Sequence, residues 1–236
     1  MERRMTKAPQ RFMLNVANDT KLDSGGRAVM FPVAKTRKGS VIFATCAHAV
    51  ENHSGRIQMT VFDHNGENLE YAGNTQNWII PPSIGADLVF IDMPVSDMSQ
   101  FQPVRLQKDR ISTGKELTYT RNVMYKKDFP EQILLTETKK AHLIKTEIYA
   151  RSSKGFDTLS AGYNSMGRNY PIRGLWMRSY PGVSGSPLYD NFGRVYGMVC
   201  GGNNSLDIKY NDYFLVYLPS KLIKKYLKDF MGDKII

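Results

Sequence analysis

Short apolar runs separated by turn residues recur along most of the chain. The runs richest in β-branched and aromatic residues cover positions 28–33, 40–45, 56–62, 78–81, 87–93, 116–122, 132–137, 141–149, 174–179, 187–189, 195–200 and 213–218. Pairs such as Lys38-Gly39 and Asn65-Gly66 stand between the runs and are typical of turns. Many short strands at this spacing predict an all-β barrel or sandwich.

The pattern changes near the end of the chain, where apolar residues recur at helical spacing. Lysines occupy one face of this segment, and the other face carries Leu222, Ile223, Tyr226, Leu227 and Phe230. Ser220 is expected to cap the N-terminus of the helix through its hydroxyl. We predict an amphipathic helix that packs on the β body; the alternative is contact with a membrane surface or with a partner.

The composition predicts a folded protein. The 236 residues are 42% hydrophobic and 23% charged, a balance typical of globular domains. The two cysteines, Cys46 and Cys200, allow at most one disulfide and exclude a four-cysteine zinc site or an iron–sulfur cluster. We expect both to be free thiols in the core.

Charge and hydropathy limit the partners and the cellular location that we expect for the protein. The net charge of +10 permits contact with nucleic acid, anionic lipid or an acidic protein without demonstrating any of them. No apolar run approaches the roughly 20 residues that a membrane helix needs, so no transmembrane segment is predicted. The basic N-terminus lacks the apolar stretch of a secretory signal. A cytoplasmic location, in a bacterium or an infected host cell, is therefore expected.

Three segments carry residues that suit acyl-transfer chemistry. They are VIFATCAHAV with His48, GADLVFIDM with Asp87, and YPGVSGSPLY with Ser184. A serine hydroxyl needs a neighbouring imidazole to accept its proton, and the imidazole needs a carboxylate to hold its tautomer. The oxyanion that forms needs backbone N–H donors, which Gly182 and Ser184 would supply from a tight glycine-rich turn.

The same three segments resemble the chymotrypsin-fold (trypsin-like) serine peptidases. TCAHAV is similar to the histidine turn of that family, ADLVFI to the start of its aspartate strand, and GVSGSP to its nucleophile loop. The order His, Asp, Ser is also the family's order. Asp87 matches the motif position, whereas Asp92 and Asp63 are alternative carboxylates. The likeness in style is greatest to the short HtrA-like bacterial and viral members without a PDZ domain.

The resemblance implies an all-β fold of two six-stranded antiparallel β-barrels (chymotrypsin-like) with a C-terminal α-helix. His48 and Asp87 would lie in the first barrel and Ser184 in the second. The implied divisions are an N-terminal extension over residues 1–20, the first barrel over 21–98, an interdomain linker over 99–115, the second barrel over 116–218 and the amphipathic helix over 219–236.

The implied activity is that of a serine endopeptidase, which hydrolyses a protein or polypeptide substrate through an acyl-enzyme intermediate. No cofactor and no metal are expected. Val183 stands where secreted members carry an aspartate that pairs with a newly cleaved N-terminus, so activation by such cleavage is not expected. The resemblance places the wall of the substrate-binding S1 pocket at Arg178, Ser179, Val199, Cys200, Gly201 and Gly202.

Rival hypotheses keep the fold and change the function. The protein would be a binding module that is catalytically silent, or that becomes active when a partner or ligand remodels the loop around Val183. Residues 151–169 are rich in Ser, Gly and Asn and predict a long loop suited to such gating. A further alternative adds nucleic-acid or membrane contacts through basic patches, for example where Tyr119 and Tyr125 interleave with basic residues. Nucleic-acid binding is not favoured by these patterns but is left open.

Overall fold

The part of the chain that the structure describes contains fifteen strands and one α-helix. This computed structural model describes residues 9–18, 21–49, 56–62, 68–74, 79–80, 87–124, 132–140, 143–144, 173–175, 182–203 and 214–236. The strands lie in two sheets, and the helix follows the last strand. The all-β class with a C-terminal helix is therefore confirmed.

The first sheet contains seven strands. In chain order they are β1 (Phe12–Asn18), β2 (Lys21–Lys35), β3 (Ser40–Thr45), β4 (Arg56–Phe62), β5 (Asn68–Asn74), β6 (Ile79–Ile80) and β7 (Val89–Pro94). Their order across the sheet is β5-β4-β1-β2-β3-β7-β6, and all neighbouring pairs are antiparallel. Every residue of β3 is buried, which explains its continuous apolar run.

The second sheet contains eight strands. They are β8 (Arg105–Leu106), β9 (Glu116–Met124), β10 (Gln132–Lys140), β11 (Leu143–Ile144), β12 (Arg173–Leu175), β13 (Pro187–Tyr189), β14 (Arg194–Asn203) and β15 (Phe214–Pro219). The order is β10-β9-β13-β14-β15-β12-β11, with β8 paired to β14. The ladder between β14 and β15 shifts register at Cys200, so β14 carries a bulge there.

The sheets differ in detail from the two six-stranded antiparallel barrels expected from the sequence. The described strands number seven and eight, and β8 pairs with β14 in parallel. Residues 12–18, assigned above to the N-terminal extension, form β1 and pair with both β2 and β4. Two asparagines weaken the local strand signal of β1, but pairing on both edges satisfies its backbone. The other predicted domain boundaries stay predictions.

The two sheets share one apolar core. Its cluster of buried residues includes Phe43 from the first sheet and Met198 and Leu218 from the second. Phe12 and Phe101 join Phe43 in an aromatic group, with ring centroids 5.4 Å apart for Phe12–Phe43 and 5.7 Å apart for Phe43–Phe101, both edge to face. A second, smaller core lies within the second sheet. The shared core therefore joins the two sheets.

Helix α1 (Ser220–Met231) packs on the β body, as predicted. Ile223, Leu227 and Met231 are buried in the shared core. The expectation that Ser220 caps the helix is wrong, because Pro219 occupies the N-cap position without a side-chain hydrogen bond. The Ser220 hydroxyl instead donates to the carbonyl oxygen of Gln107 at 2.5 Å. Within the described residues, no helix has the length and apolar character needed to cross a bilayer.

Candidate active site

His48 lies on a 3₁₀ turn, Ala47–Ala49, that follows β3 directly. Ala47 and Ala49 are buried, whereas the side chain of His48 is 45% exposed. The amide of Ala49 donates to the carbonyl of Cys46 at 3.2 Å and closes the turn. Small residues on both sides let the backbone pack against the core while the imidazole reaches solvent.

Asp87 is placed beside His48 by the sheet itself. Strands β3 and β7 are antiparallel neighbours with Thr45 opposite Val89, so the end of one strand meets the start of the other. Asp87, which is 3% exposed, accepts hydrogen bonds from the backbone N–H of His48 at Oδ1 (2.9 Å) and contacts Nδ1 at Oδ2 (2.8 Å). Because a carboxylate accepts hydrogen bonds, this contact favours the tautomer that carries its proton on Nδ1. Nε2 is then left as an acceptor.

Ser184 faces the other nitrogen of the same imidazole. The distance from His48 Nε2 to Ser184 Oγ is 3.0 Å, although the two residues are 136 positions apart in the chain. The structure therefore brings together the three residues that the sequence singled out. Asp87 makes this contact rather than the alternative Asp92, which lies within β7 opposite Ile42; Asp63 lies outside the described residues.

The loop that carries Ser184 is fixed by backbone hydrogen bonds from both sheets. From the first sheet, the amide of Val29 donates to the carbonyl of Ser184 at 2.8 Å. From the second, the amide of Gly185 donates to the carbonyl of Val199 at 2.8 Å. The amide of Ser186 donates to Val183 O at 2.9 Å, and the Ser186 hydroxyl accepts from the amide of Thr120 at 2.8 Å. Ser186 therefore has a structural role in the loop.

Gly185 permits the closest approach between the loop and the first sheet. Its φ is +80°, a left-handed conformation that favours glycine. A Cβ atom built on it would lie 1.9 Å from the carbonyl oxygen of Val29 and 2.5 Å from the hydroxyl oxygen of Thr45. Gly182, two residues before Ser184, has a φ of 85°. The two glycines on either side of the serine thus set the shape of the loop.

The N–H groups predicted to bind an oxyanion lie on this loop. Within the residues that the structure describes, neither Gly182 nor Ser184 uses its amide N–H in a backbone hydrogen bond. Val183 between them is 2% exposed and belongs to the core of the second sheet. Burial of the Val183 side chain anchors the loop to the core. Secreted members of the resembled family carry an aspartate at this position.

The residues predicted to line the S1 pocket divide into two groups. Arg178 and Ser179 lie outside the described residues. The others lie on β14, where Val199 is buried in the core of the second sheet, Cys200 is buried in the shared core, and Gly201 and Gly202 follow the bulge. Because the side chains of Val199 and Cys200 are buried, only the backbone of β14 is available to contact a substrate at these two positions. Their role in binding stays a prediction.

An ion-pair network stands at the end of β13. The Asp190 side chain is buried, contacts Arg194 at 2.7 Å and Lys115 at 3.3 Å, and accepts from the hydroxyl of Tyr196 at 3.2 Å. Burial works to raise the pKa of Asp190, but hydrogen bonds from Arg194 and from backbone amides outweigh it and hold the pKa below its usual value. The network fixes the hairpin between β13 and β14. No local motif in the sequence indicates it.

Both cysteines are free and buried, as the sequence predicted. The thiol of Cys46 donates to the carbonyl oxygen of Val199 at 3.2 Å. The Sγ atoms of Cys46 and Cys200 and a carboxylate oxygen of Asp87 lie within 4.8 Å of one another. Burial, followed by the neighbouring Cys200 and the negative charge of Asp87, raises the pKa of the Cys46 thiol well above its ordinary value. The sequence does not reveal this cluster, because no short spacing motif links positions 46 and 200.

The architecture and the geometry around His48 define a chymotrypsin-like fold. Comparison with solved structures identifies Rv3671c of Mycobacterium tuberculosis H37Rv as similar in fold. The active form of the Rv3671c protease has 14% sequence identity and a TM-score of 0.56, over 93% of this chain and 79% of that chain. An inactive form has 12% identity and a TM-score of 0.53, over 93% and 87% of the two chains.

A third structure is the inactive form of the same M. tuberculosis protein with one serine replaced by alanine. It has 11% identity and a TM-score of 0.54, over 95% of this chain and 88% of that chain. At these identities the similarity establishes the fold. No protein-family model matches the chain, and no curated protein matches its sequence.

Proposed function

We propose that the protein is a serine endopeptidase in which Ser184 is the nucleophile, His48 the general base and Asp87 the residue that orients His48. The observation that carries the proposal is the contact between His48 Nε2 and Ser184 Oγ at 3.0 Å. With Asp87 on Nδ1, the lone pair of Nε2 points to the hydroxyl that must lose its proton. The similarity to the fold of the Rv3671c protease supports peptide-bond hydrolysis as the reaction.

The proposed reaction has two halves that use the same three side chains. Ser184 Oγ attacks the carbonyl carbon of the scissile peptide while His48 Nε2 takes the hydroxyl proton. The tetrahedral intermediate collapses when His48 returns this proton to the leaving amine, which leaves an acyl-enzyme on Ser184. A water molecule then repeats the sequence, with His48 as base and then as acid, and releases the carboxylic acid product.

Stabilisation of the oxyanion is assigned to the amide N–H groups of Gly182 and Ser184. Preorganised donors of this kind contribute about 3–4 kcal/mol of transition-state stabilisation each. The buried side chain of Val183 supports a loop that is organised without a cleaved N-terminus. The proposal is therefore an enzyme that is active as folded, without a gating partner.

The direct test is labelling of the purified protein with a fluorophosphonate, followed by measurement of its intact mass. One adduct per chain is expected on the wild type, and none on Ser184→Ala or His48→Ala. Ser186→Ala is the matched control, because Ser186 lies on the same loop with its hydroxyl buried in a backbone contact. This variant is expected to keep the adduct, provided that its circular dichroism shows a folded protein.

Hydrolysis is tested on the same samples with an unstructured protein substrate. Loss of any one of the three side chains should lower turnover by about 10⁴- to 10⁶-fold. Absence of an adduct on a folded wild type would contradict the proposal and favour the silent or partner-gated binding module. An adduct that persists in Ser184→Ala would show that another residue is the nucleophile.

A further inference from the structure

Two cysteine thiols lie directly behind the proposed catalytic residues, and the proposed mechanism uses neither. Cys46 is two residues before His48, and Cys200 lies on the bulge of β14 in the opposite sheet. Both are at most 1% exposed, and Asp87 is 3% exposed. The sulfur atoms and a carboxylate oxygen of Asp87 lie within 4.8 Å of one another. Three groups of metal-ligating type therefore converge on one buried point.

We propose that Cys46, Cys200 and Asp87 form a binding site for a thiophilic divalent cation such as Zn²⁺ or Cd²⁺, and that occupation of the site inhibits the His48–Ser184 pair. Two sulfurs and one carboxylate are a ligand set that suits zinc and cadmium and disfavours magnesium or calcium. The inhibition, but not the binding, depends on the function proposed above.

The spacing of the three groups is close to what a tetrahedral ion requires. Zinc–sulfur bonds of ~2.3 Å and zinc–oxygen bonds of ~2.1 Å place neighbouring ligand atoms about 3.5–3.8 Å apart. The ligand atoms here start within 4.8 Å, so contraction by at most about 1.3 Å would complete the site. Rotation of the two thiols about their Cα–Cβ bonds is the proposed source of this movement.

Charge balance also favours an exchange of protons for a cation. Binding of the cation releases one proton from each thiol and forms two metal–sulfur bonds. Two thiols with one carboxylate carry a charge of −1, and two thiolates with one carboxylate and a divalent cation also carry −1. The exchange thus leaves the net charge of the buried cluster unchanged, which limits its electrostatic cost.

Inhibition follows because Asp87 belongs to both sites. Its two oxygens hold the backbone N–H and Nδ1 of His48 at 2.9 and 2.8 Å. A cation on this carboxylate draws away the negative charge that stabilises the imidazolium during acylation. It also competes for the oxygen that fixes the orientation of the ring. The expected result is a slower reaction of Ser184 without occlusion of the substrate cleft.

Binding is tested on the full chain, reduced and freed of metal by a chelator. Equilibrium dialysis against Zn²⁺, with elemental analysis, should give one tightly held ion per chain in the wild type and in Ser184→Ala. Cd²⁺ should produce thiolate-to-metal charge-transfer absorption in the ultraviolet. Cys46→Ser, Cys200→Ser and Asp87→Asn should each weaken binding by at least about 10-fold. Asp92→Asn is the matched carboxylate control and should bind as the wild type does.

The inhibition is measured by fluorophosphonate labelling, with each variant compared with its own rate in chelator. Zinc should slow the labelling of the wild type, and Cys46→Ser should need at least about 10-fold more zinc for the same effect. No ion retained by the folded, reduced wild type, or equal binding by both cysteine variants, would overturn the proposed site. Equal inhibition of wild type and Cys46→Ser would show that the inhibitory ion binds without Cys46 and would overturn the proposed coupling. If the wild type does not react with the probe at all, the proposed peptidase fails, while the dialysis still decides the metal site.

Discussion

A methyl group added at Gly185 would test how tightly the nucleophile loop is held against the first sheet. The new Cβ would lie 1.9 Å from the carbonyl oxygen of Val29 and 2.5 Å from Thr45 Oγ1. Those two atoms are themselves hydrogen-bonded to each other at 2.9 Å, and the amide of Val29 binds the carbonyl of Ser184. Gly185→Ala must therefore push the loop and strand β2 apart, or break one of these bonds.

The expected cost has two parts. A non-glycine residue in the left-handed conformation costs roughly 1–2 kcal/mol. Overpacking against backbone atoms adds about 1–3 kcal/mol, so the free energy of unfolding should fall by about 2–5 kcal/mol in all. Gly114→Ala is the matched control, because Gly114 has a φ of +81° and a Cβ added there would meet nothing within 4 Å. This control should show the conformational cost alone, roughly 1–2 kcal/mol.

Urea denaturation gives the free energies, and the rate of fluorophosphonate labelling reports on the geometry of Ser184. Displacement of the serine by about 1 Å should slow labelling of Gly185→Ala on the order of 10²-fold under conditions where the variant is fully folded. Gly114→Ala should react at the wild-type rate. Equal destabilisation of the two variants, with unchanged labelling of Gly185→Ala, would refute the close contact between the loop and β2.

Three further substitutions probe separate parts of the structure. Asp87→Asn should lower kcat on a protein substrate by about 10⁴-fold because the imidazole loses its tautomer, whereas Asp92→Asn should leave it near wild type; equal losses would contradict the assignment. Since the pKa of Asp190 is lowered, its stabilisation is full above about pH 4 and is lost as the pH falls through the lowered value. Asp190→Asn should therefore reduce the free energy of unfolding by about 1–3 kcal/mol at pH 7. The difference from wild type should close in acid. A difference that stays constant with pH would exclude this linkage. Phe101→Ala should cost about 3–5 kcal/mol in urea denaturation because Phe101 is 2% exposed, and the exposed Phe192→Ala is the control that should change little.

The strands that the sequence predicts best are those whose local pattern and burial agree. Strands β3, β4 and β13 begin and end at the predicted residues, because apolar runs there are bounded by turn chemistry. Strand β5 is not predicted, since two asparagines and a glycine in its sequence NLEYAGN disfavour a strand. It becomes a strand by pairing along the whole of β4. Strand β8 is not predicted either, because two residues carry no periodicity and its parallel pairing with β14 is a tertiary contact.

The candidate site shows the same division between local and long-range signals. His48 and Ser184 each stand in a short segment that forms a turn, and Asp87 stands at the start of an apolar strand, so the sequence indicates all three. The proximity of Cys46 to Cys200 depends on how the two sheets pack, and no property of either segment predicts it. The expected N-cap at Ser220 is wrong for a related reason, because its hydroxyl is engaged by Gln107, a distant part of the chain.

The end of the chain returns to the first sheet and binds the turn between β2 and β3. Ile235 forms a bridge with Thr36, and the amide of Ile236 donates to the carbonyl of Lys35 at 2.9 Å. These partners are about 200 residues apart, and contacts of such sequence separation are closed late and slow the folding of a chain. The pairing of His48 with Ser184 also joins distant segments, 136 positions apart. Refolding should therefore restore strand signals in circular dichroism well before it restores reactivity at Ser184. The delay between the two signals would reflect the long sequence separation of the contacts that assemble the site.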